Sequence, residues 1–414
     1  MKAVARCSLS KQLAARRMIT ICMILSFFMV QEATSYVVAV SSRSRALRAV
    51  PESSLEQTSS EASMFQLMEI PGKGFGAIAL RDIVPGELIM NEKPLFSITT
   101  KKAWFTPSES YSEKRIEDEV EKLSVSDQER FYSLHGFISH ENELVEEDLV
   151  IDVGSTGAEK AESTVVNSKK LKMRVPSIHI YKTNAYPMGT GISGIFPLIS
   201  RLNSHCTPNV HYNWDGKSGQ STIYCVSNIK KGDEIVNCYI GLYMRRLDRM
   251  KYLWNNFGFP CSCKACSLTG DEQEESDYRR IRLESLEEMT VTAILEKKKN
   301  LALDLVNTRL QVLEEEGLLN SATAYKCEYD GFLSVTSVLS STSALIDDIS
   351  GSADCGSAKE SNGEMLEISN LDSTDRAEAK DWLEKAYNHV VECKGPESTE
   401  AHKCFYYLSI LNLL

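Results

Sequence analysis

The chain has 414 residues, 43% of them apolar and 25% charged, which is ordinary for a globular protein and long enough for two or three domains of about 100–200 residues each. Its net charge of −11 is unevenly spread: the first fifty residues carry eight Lys/Arg against one acid, Glu32, leaving −18 on the other 364. A body that acidic argues against sequence-independent DNA binding, which needs a basic face, so no direct sequence-specific DNA contact is expected, and it is compatible with a basic peptide as substrate or partner.

Residues 1–17 include Lys2, Arg6, Lys11, Arg16 and Arg17, and Met18 to Val30 is an uncharged run. The run is shorter than the roughly 20 residues of a membrane span. With Ala33-Thr34-Ser35 behind it, it has the form of a signal peptide; an organellar presequence and a start at Met64 are the other readings. Residues 1–60 are therefore set apart as a targeting segment and linker.

From Met64 the pattern is one of short strands. Phe65 to Ile70 and Phe75 to Leu80 flank Pro71-Gly72-Lys73-Gly74, and Pro85-Gly86 precedes Glu87 to Glu92, which predicts a small β-meander. Helical spacing follows over 108–150: Ile116, Val120 and Leu123 share a face, and Ser124 to Ser126 can cap a helix that buries Phe131, Tyr132 and Leu134. The acidic, Ser/Gly/Lys-rich stretch 141–175 predicts a surface loop. His179 reads as a strand-end surface residue. Strands return at Val210 to Trp214 and Thr222 to Ser227 around an Asp215-Gly216 turn, then at Glu234 to Ile240 after Lys231-Gly232-Asp233.

Beyond Cys266 the chain reads as helix. Leu286, Met289, Ala293, Leu301, Leu305, Leu310 and Leu313 predict one long run ending at Gly317, and Ala322 to Leu339 a second helix. The Ser/Gly/Asp-rich residues 340–374 predict a disordered insertion. Trp382, Leu383, Ala386, Tyr387, Val390 and Val391 mark a further helix stopped by Gly395-Pro396, with Ser398 capping the last one. Such pairs resemble tetratricopeptide hairpins, although no 34-residue period is visible; a helical bundle packed on the first domain is the plainer reading.

Two clusters stand out from this background. Asn203-Ser204-His205-Cys206-Thr207-Pro208-Asn209 is polar and turn-forming, a poor fit to a core strand or helix. Cys261-x-Cys263-x-x-Cys266 puts three thiols on one tight turn. Zinc takes four tetrahedral ligands, and Cys206 is the natural fourth. Cys225 and Cys238 lie in apparent strands and read as small core residues. The remaining cysteines are mostly single, which is not a disulfide framework.

With these pieces named, the chain resembles SET-domain protein-lysine methyltransferases. Gly72-Lys73-Gly74-Phe75-Gly76-Ala77, followed by Pro85-Gly86-Glu87 and Glu92-Lys93-Pro94, is similar to the opening strand pair of that family. Asn203 to Asn209 resembles its NHxCxPN motif, Gly232-Asp233-Glu234-Ile235-Val236-Asn237-Cys238-Tyr239 its GEELxxxY motif, and Cys261 to Cys266 its post-SET cysteines. A helical insertion, Phe257-Gly258-Phe259 before the cysteines and a helical C-terminal region resemble the SET-and-MYND branch and its fungal and protist relatives. No second Cys/His cluster lies between residues 95 and 200, so the branch's MYND zinc finger is absent from the insertion. The family order Asn-His-Ser-Cys is altered here to Asn203-Ser204-His205-Cys206.

The resemblance implies an α+β fold: a SET domain over 61–245 with its insertion at about 101–175, a zinc-binding post-SET segment over 246–270 and a helical, TPR-like domain over 271–414. It implies methyl transfer from S-adenosylmethionine to a lysine of a histone tail or other basic protein segment. It assigns Lys73, Gly74, Phe75, Asn184, Asn203, Ser204, His205, Tyr239 and Phe259 to the cofactor, Tyr239 to catalysis, Phe257 to the lysine channel, and Cys206, Cys261, Cys263 and Cys266 to zinc. Glu234 is expected to anchor a turn. The family is mostly nuclear or cytosolic, and the C-terminal helices are a candidate surface for a protein partner. The altered Ser204-His205 order favours one alternative, a catalytically silent SET-fold scaffold.

Overall fold

The computed structural model describes residues 64–99, 113–138, 175–336, 368 and 370–413, all within one compact unit, Ser59–Leu414. The readings of 1–60, and most of 141–175 and 340–374, lie outside the described residues.

Among the described residues ten short strands run in chain order: β1 (Phe65–Ile70), β2 (Gly74–Ala79), β3 (Leu88–Glu92), β4 (Ser97–Thr99), β5 (Ala185–Pro187), β6 (Ile192–Ile195), β7 (Asn203–Ser204), β8 (Val210–Asp215), β9 (Gln220–Cys225) and β10 (Glu234–Asn237). They form three sheets, ordered β1-β2-β10-β7, β3-β9-β8 and β4-β6-β5. β1 and β2 are a hairpin, its turn closed by Gly72 and Gly74 at φ of 76° and 73°, values that L side chains rarely adopt. β9 shows the period of two expected of a half-buried strand, with Ser221, Ile223 and Cys225 inward.

The expected meander does not form, because β3 leaves the hairpin and pairs with β9 instead. The amide of Gly86 donates to the carbonyl of Cys225 at 3.0 Å, and the amide of Cys225 to that of Glu87 at 2.9 Å. Backbone groups that a meander would satisfy within residues 64–92 are thus satisfied by a strand far along the chain. The place beside β2 is taken by β10, and β7 lies parallel to β10 with Asn203 opposite Val236 and Ser204 opposite Asn237. One small sheet therefore sets the glycine hairpin, the strand leading to Tyr239 and the Asn203 turn side by side.

Three described helices lie between β4 and β5: α1 (Glu113–Glu121), α2 (Val125–Tyr132) and α3 (Ser177–Asn184). Ser124 caps α2 as expected, its hydroxyl accepting from the amide of Asp127 at 3.1 Å. His179 lies in α3, not at a strand end, and its Nδ1 is 3.1 Å from the carbonyl of Phe137. Ile116, Val120, Phe131, Ile180 and Tyr181 form the core under these helices.

After β10 come α4 (Arg246–Phe257), a 3-10 turn at Lys264–Cys266, and five helices: α5 (Asp271–Leu295), α6 (Lys299–Glu315), α7 (Ser321–Thr336), α8 (Ser373–Lys394) and α9 (Thr399–Leu413). The single run predicted to end at Gly317 is two helices. The chain breaks at 296–298, where Lys297 takes φ of 57°, and α6 folds back on α5. Folding back brings Leu283 and Leu286 into one apolar core with Leu305, Leu313, Phe332 and Leu383, which straight continuation would have left in water. Ser398 caps α9, accepting from the amide of Ala401 at 3.2 Å. The helical region packs on the strands, with α8 against β8 and β9.

Candidate functional site

Four thiols meet where the Asn203 turn passes the Cys261–Cys266 loop. Cys206, Cys261, Cys263 and Cys266 are all buried, and their sulfurs lie within 4.8 Å of one another. Sγ of Cys206 is 3.9 Å from that of Cys261 and 3.5 Å from that of Cys266. Hydrogen bonding within so tight a set pushes the thiols of Cys206 and Cys261 up and holds that of Cys266 down at about 6. Four sulfurs can ionise together only around a cation, and four converging thiolates are the donor set of a closed tetrahedral zinc site. Of the two cysteines read as core, Cys225 is fully buried. Cys238 is partly exposed, with its thiol donating to the carbonyl of Ile240 at 3.2 Å.

Arginines fix the loops around this cluster. Arg246 donates to the carbonyl of Cys266 at 2.6 Å, and Arg249, fully buried on α4, to that of Met244 at 2.6 Å. Arg280 on α5 is also fully buried; it donates to the carbonyl of Cys206 at 3.2 Å and to that of Leu242, and pairs with Glu316 at 2.7 Å. Helix α5 thus holds the Cys206 turn directly through Arg280, which Glu316 at the end of α6 holds in turn.

Beside the metal cluster lies a polar cradle. Lys73 pairs with Glu234 at 2.6 Å. The side-chain amide of Asn203 donates to the other oxygen of Glu234 at 2.8 Å and to the carbonyl of Phe75 at 3.2 Å. Glu234 is the anchor that the sequence suggested. Gly76 must lack a side chain: a Cβ there would lie 2.4 Å from Cδ1 of Ile70 and 2.8 Å from Nδ2 of Asn203. Asn209 locks the far end of the turn, donating to the carbonyl of Glu234 at 2.9 Å and accepting from the amide of Val236 at 2.8 Å.

Tyr239 follows directly. Its amide donates to the hydroxyl of Ser204 at 3.3 Å and its own hydroxyl donates to the carbonyl of Leu202 at 2.5 Å. Its ring lies 4.9 Å from that of Phe257. Desolvation pushes the Tyr239 phenol well above its ordinary pKa, and burial likewise pushes Tyr186 up to about 12. Both rings nevertheless keep partial exposure. A group that is reachable yet desolvated lies in a recess. Tyr186 is near enough to push the Tyr239 phenol up further, and its own ring packs 4.8 Å from Tyr212.

The structure brings Gly74, Phe75, Asn203 and Ser204 onto the small sheet, with Lys73 in its hairpin turn and Tyr239 two residues beyond β10, and puts Phe257 at the C-terminal end of α4 with the ring of Phe259 6.5 Å away. His205 is tied locally: the amide of Thr207 donates to its Nδ1 at 3.1 Å, and its own amide to the carbonyl of Asn237 at 2.8 Å. Asn184 ends α3 and donates to the carbonyls of His135 and Ile180 at 2.6 and 2.7 Å.

Three site residues escaped the sequence reading. Tyr186 follows Asn184 by two places but carries no distinguishing pattern. Phe137 packs on Gly258, where a Cβ would come within 2.3 Å of its ring. Glu92, almost buried, accepts from the amides of Leu198 and Ile199 at 3.0 Å and from Arg130 at 3.3 Å; it caps the 3-10 turn Ile199–Arg201 that delivers Asn203. Glu92 sits inside the quoted Glu92-Lys93-Pro94 motif, so its place was visible although its role was not.

Comparison with known proteins agrees with this geometry. Residues 74–240 match the family model for the SET domain. The chain is 29% identical to "Histone-lysine N-methyltransferase set5" of Schizosaccharomyces pombe over 54% of its own length and 57% of that protein's. It is 32% identical to "Histone-lysine N-methyltransferase SMYD3" of Homo sapiens over 26% of each chain. It is 43% identical to a "SET and MYND domain-containing protein" of Dictyostelium discoideum over 18% of this chain and 6% of that one. The chain thus spans little more than half of the fission-yeast protein and much less of the other two.

Proposed function

We propose that this chain, which carries a SET domain over residues 74–240 and has SMYD and set5 proteins among its relatives, is a protein-lysine methyltransferase that uses S-adenosylmethionine. The observation that carries the reading is the juxtaposition of the Lys73–Glu234–Asn203 cradle with a desolvated Tyr239 in an aromatic recess. We take 61–245 as the SET domain, 246–270 as the zinc segment and 271–414 as the helical region that supports both and is a candidate surface for a protein partner.

When bound, S-adenosylmethionine supplies a methyl group on a sulfonium sulfur. The chain's own residues do the rest. Lys73, Gly74, Phe75, Asn203 and Ser204 hold the donor along the sheet, with Asn184, His205 and Phe259 at its margins. The recess of Tyr186, Tyr239 and Phe257 admits a lysine side chain and disfavours its charged form, whose free pKa is about 10.4. The neutral amine then attacks in line: the N–C bond forms as the S–C bond breaks, and the amine proton leaves to solvent. The carbonyl of Leu202, fixed by the Tyr239 hydroxyl, would stabilise a partly positive methyl. Cys206, Cys261, Cys263 and Cys266 would hold one zinc whose part is structural.

A net charge of −18 outside the first fifty residues favours a basic protein segment, such as a histone tail, as substrate, and the resemblance to histone-lysine methyltransferases favours nucleus or cytoplasm as the place of action. Among the described residues no helix is long and apolar enough to cross a membrane. The silent-scaffold alternative rests on the Ser204-His205 order. Ser204 meets the amide of Tyr239 through its hydroxyl, so the altered order is built into the support of the tyrosine. The test is to incubate the full chain with methyl-labelled S-adenosylmethionine and histones or basic peptides. Label on lysine supports the enzyme; a folded, zinc-loaded protein that labels nothing and binds no donor sinks it.

A further inference from the structure

Of the two cations at the cradle, only one is neutralised. Lys73 pairs with Glu234 at 2.6 Å. Arg201, two residues before Asn203, stands 5.4 Å above the Phe75 ring, and its Nη2 donates to the hydroxyl of Ser133 at 2.7 Å and to the Ser133 carbonyl at 3.3 Å. All three partners are uncharged. Among the described residues no carboxylate pairs with it, and burial holds its pKa below the ordinary guanidinium value with no acid opposing the shift. An arginine held partly out of water without an anion is costly unless a ligand brings one. Its position is fixed from below by the 3-10 turn Ile199–Arg201, which Glu92 caps, and from the side by Phe75, so the guanidinium is preorganised at the edge of the glycine hairpin.

The proposed methyl donor carries three charges: a sulfonium, an ammonium and one carboxylate. The first two are repelled by a guanidinium and the third matches its planar fork. We infer that Arg201 binds the carboxylate of the donor's amino-acid tail and so sets which end of the cradle that tail occupies. This rests on the methyltransferase reading. It orients the sulfonium away from Arg201 and toward the Tyr239 side of Leu202, and it makes Arg201 a specificity residue for donors that carry an α-carboxylate.

The test is calorimetric titration of the full chain with S-adenosylmethionine and, separately, with decarboxylated S-adenosylmethionine, which keeps the sulfonium and amine. The wild-type chain should prefer the carboxylated donor by about ten- to a hundredfold, the worth of a charge-assisted hydrogen bond. Arg201→Gln should abolish that preference by weakening only the carboxylated donor. Ser133→Ala, which removes the latch and keeps the cation, should retain the preference. Equal weakening of both donors in Arg201→Gln would make Arg201 a latch between the insertion and the turn, and overturn the inference; an undiminished preference would do the same. A wild-type chain that binds neither donor would sink the methyltransferase reading itself, a separate result. If Arg201→Gln does not fold, Arg201→Lys carries the test, with a reduced preference expected and equal weakening again decisive against it.

Discussion

The hydroxyl of Tyr239 donates to the carbonyl of Leu202 at 2.5 Å, joining the end of β10 to the residue just before the Asn203 turn. The contact ties the expected catalytic residue to the expected cofactor turn. It also keeps the phenol protonated, since burial and the neighbouring Tyr186 and Glu234 all disfavour the phenolate. Tyr239→Phe removes the hydroxyl and keeps the ring against Phe257. Methyl transfer is expected to fall by about a hundredfold or more, in line with the loss of the hydroxyl that preorganises the Leu202 carbonyl, with S-adenosylmethionine affinity little changed. Equal losses in transfer and in donor affinity would make the tyrosine a structural support only.

Gly76 tests the cradle from the other side. Alanine there would press on Ile70, Asn203 and Glu234 at 2.4, 2.8 and 3.0 Å. Overpacking of this kind costs about 1–3 kcal/mol, and here it falls on the Asn203–Glu234 hydrogen bond. Gly76→Ala should lower the melting temperature and weaken S-adenosylmethionine binding together. Unchanged binding would show that the cradle is not where the donor sits.

The metal cluster and its arginine clamp can be separated. Cys206→Ser should drop the zinc content from one per chain and destabilise the fold, because the three remaining thiolates leave the tetrahedron open. Arg280→Ala should keep the zinc but cost about 1–3 kcal/mol in denaturant unfolding, since it leaves the carbonyls of Cys206 and Leu242 without their donor while Glu316 keeps Arg279 and Ser276. Zinc retained in Cys206→Ser, measured by elemental analysis, would contradict the assignment of the fourth ligand.

In the helical region, His389 on α8 lies 2.7 Å from Glu328 on α7. The hydrogen bond to Glu328 raises the histidine's pKa above its ordinary 6.5. The folded state therefore favours the protonated imidazole. Its contribution is fully present below pH 6.5 and is lost as pH rises through the raised folded value. Unfolding curves on either side of that window should show the wild-type chain losing stability with rising pH relative to His389→Gln. Parallel pH profiles would remove the pair from the account.

Local chemistry was readable where the chain closes on itself over a few residues. The Gly72–Gly74 hairpin, the Ser124 and Ser398 caps and the stop at Gly395 are all signalled by residue types with one physical use. The four cysteines were legible because thiols at that spacing have few other roles. Pairing between distant segments was not. Nothing in Leu88 to Glu92 says that its partner is β9 and not β2. The break at 296–298 has no glycine or proline; Glu296, Lys297 and Lys298 are good helix formers, and tertiary packing overrides them. Tyr186 and Phe137 have ordinary surroundings in sequence, and only the fold brings them to Tyr239 and Gly258; Glu92 stands in a recognisable motif, but only the fold carries it to the Asn203 turn.

The most direct measurement is a calorimetric titration of S-adenosylmethionine into the full chain, with Asn203→Ala as its partner. The account predicts a single site with micromolar affinity in the wild-type chain and its loss in the variant. No binding to a folded protein that holds one zinc, or binding that survives the substitution, would contradict it.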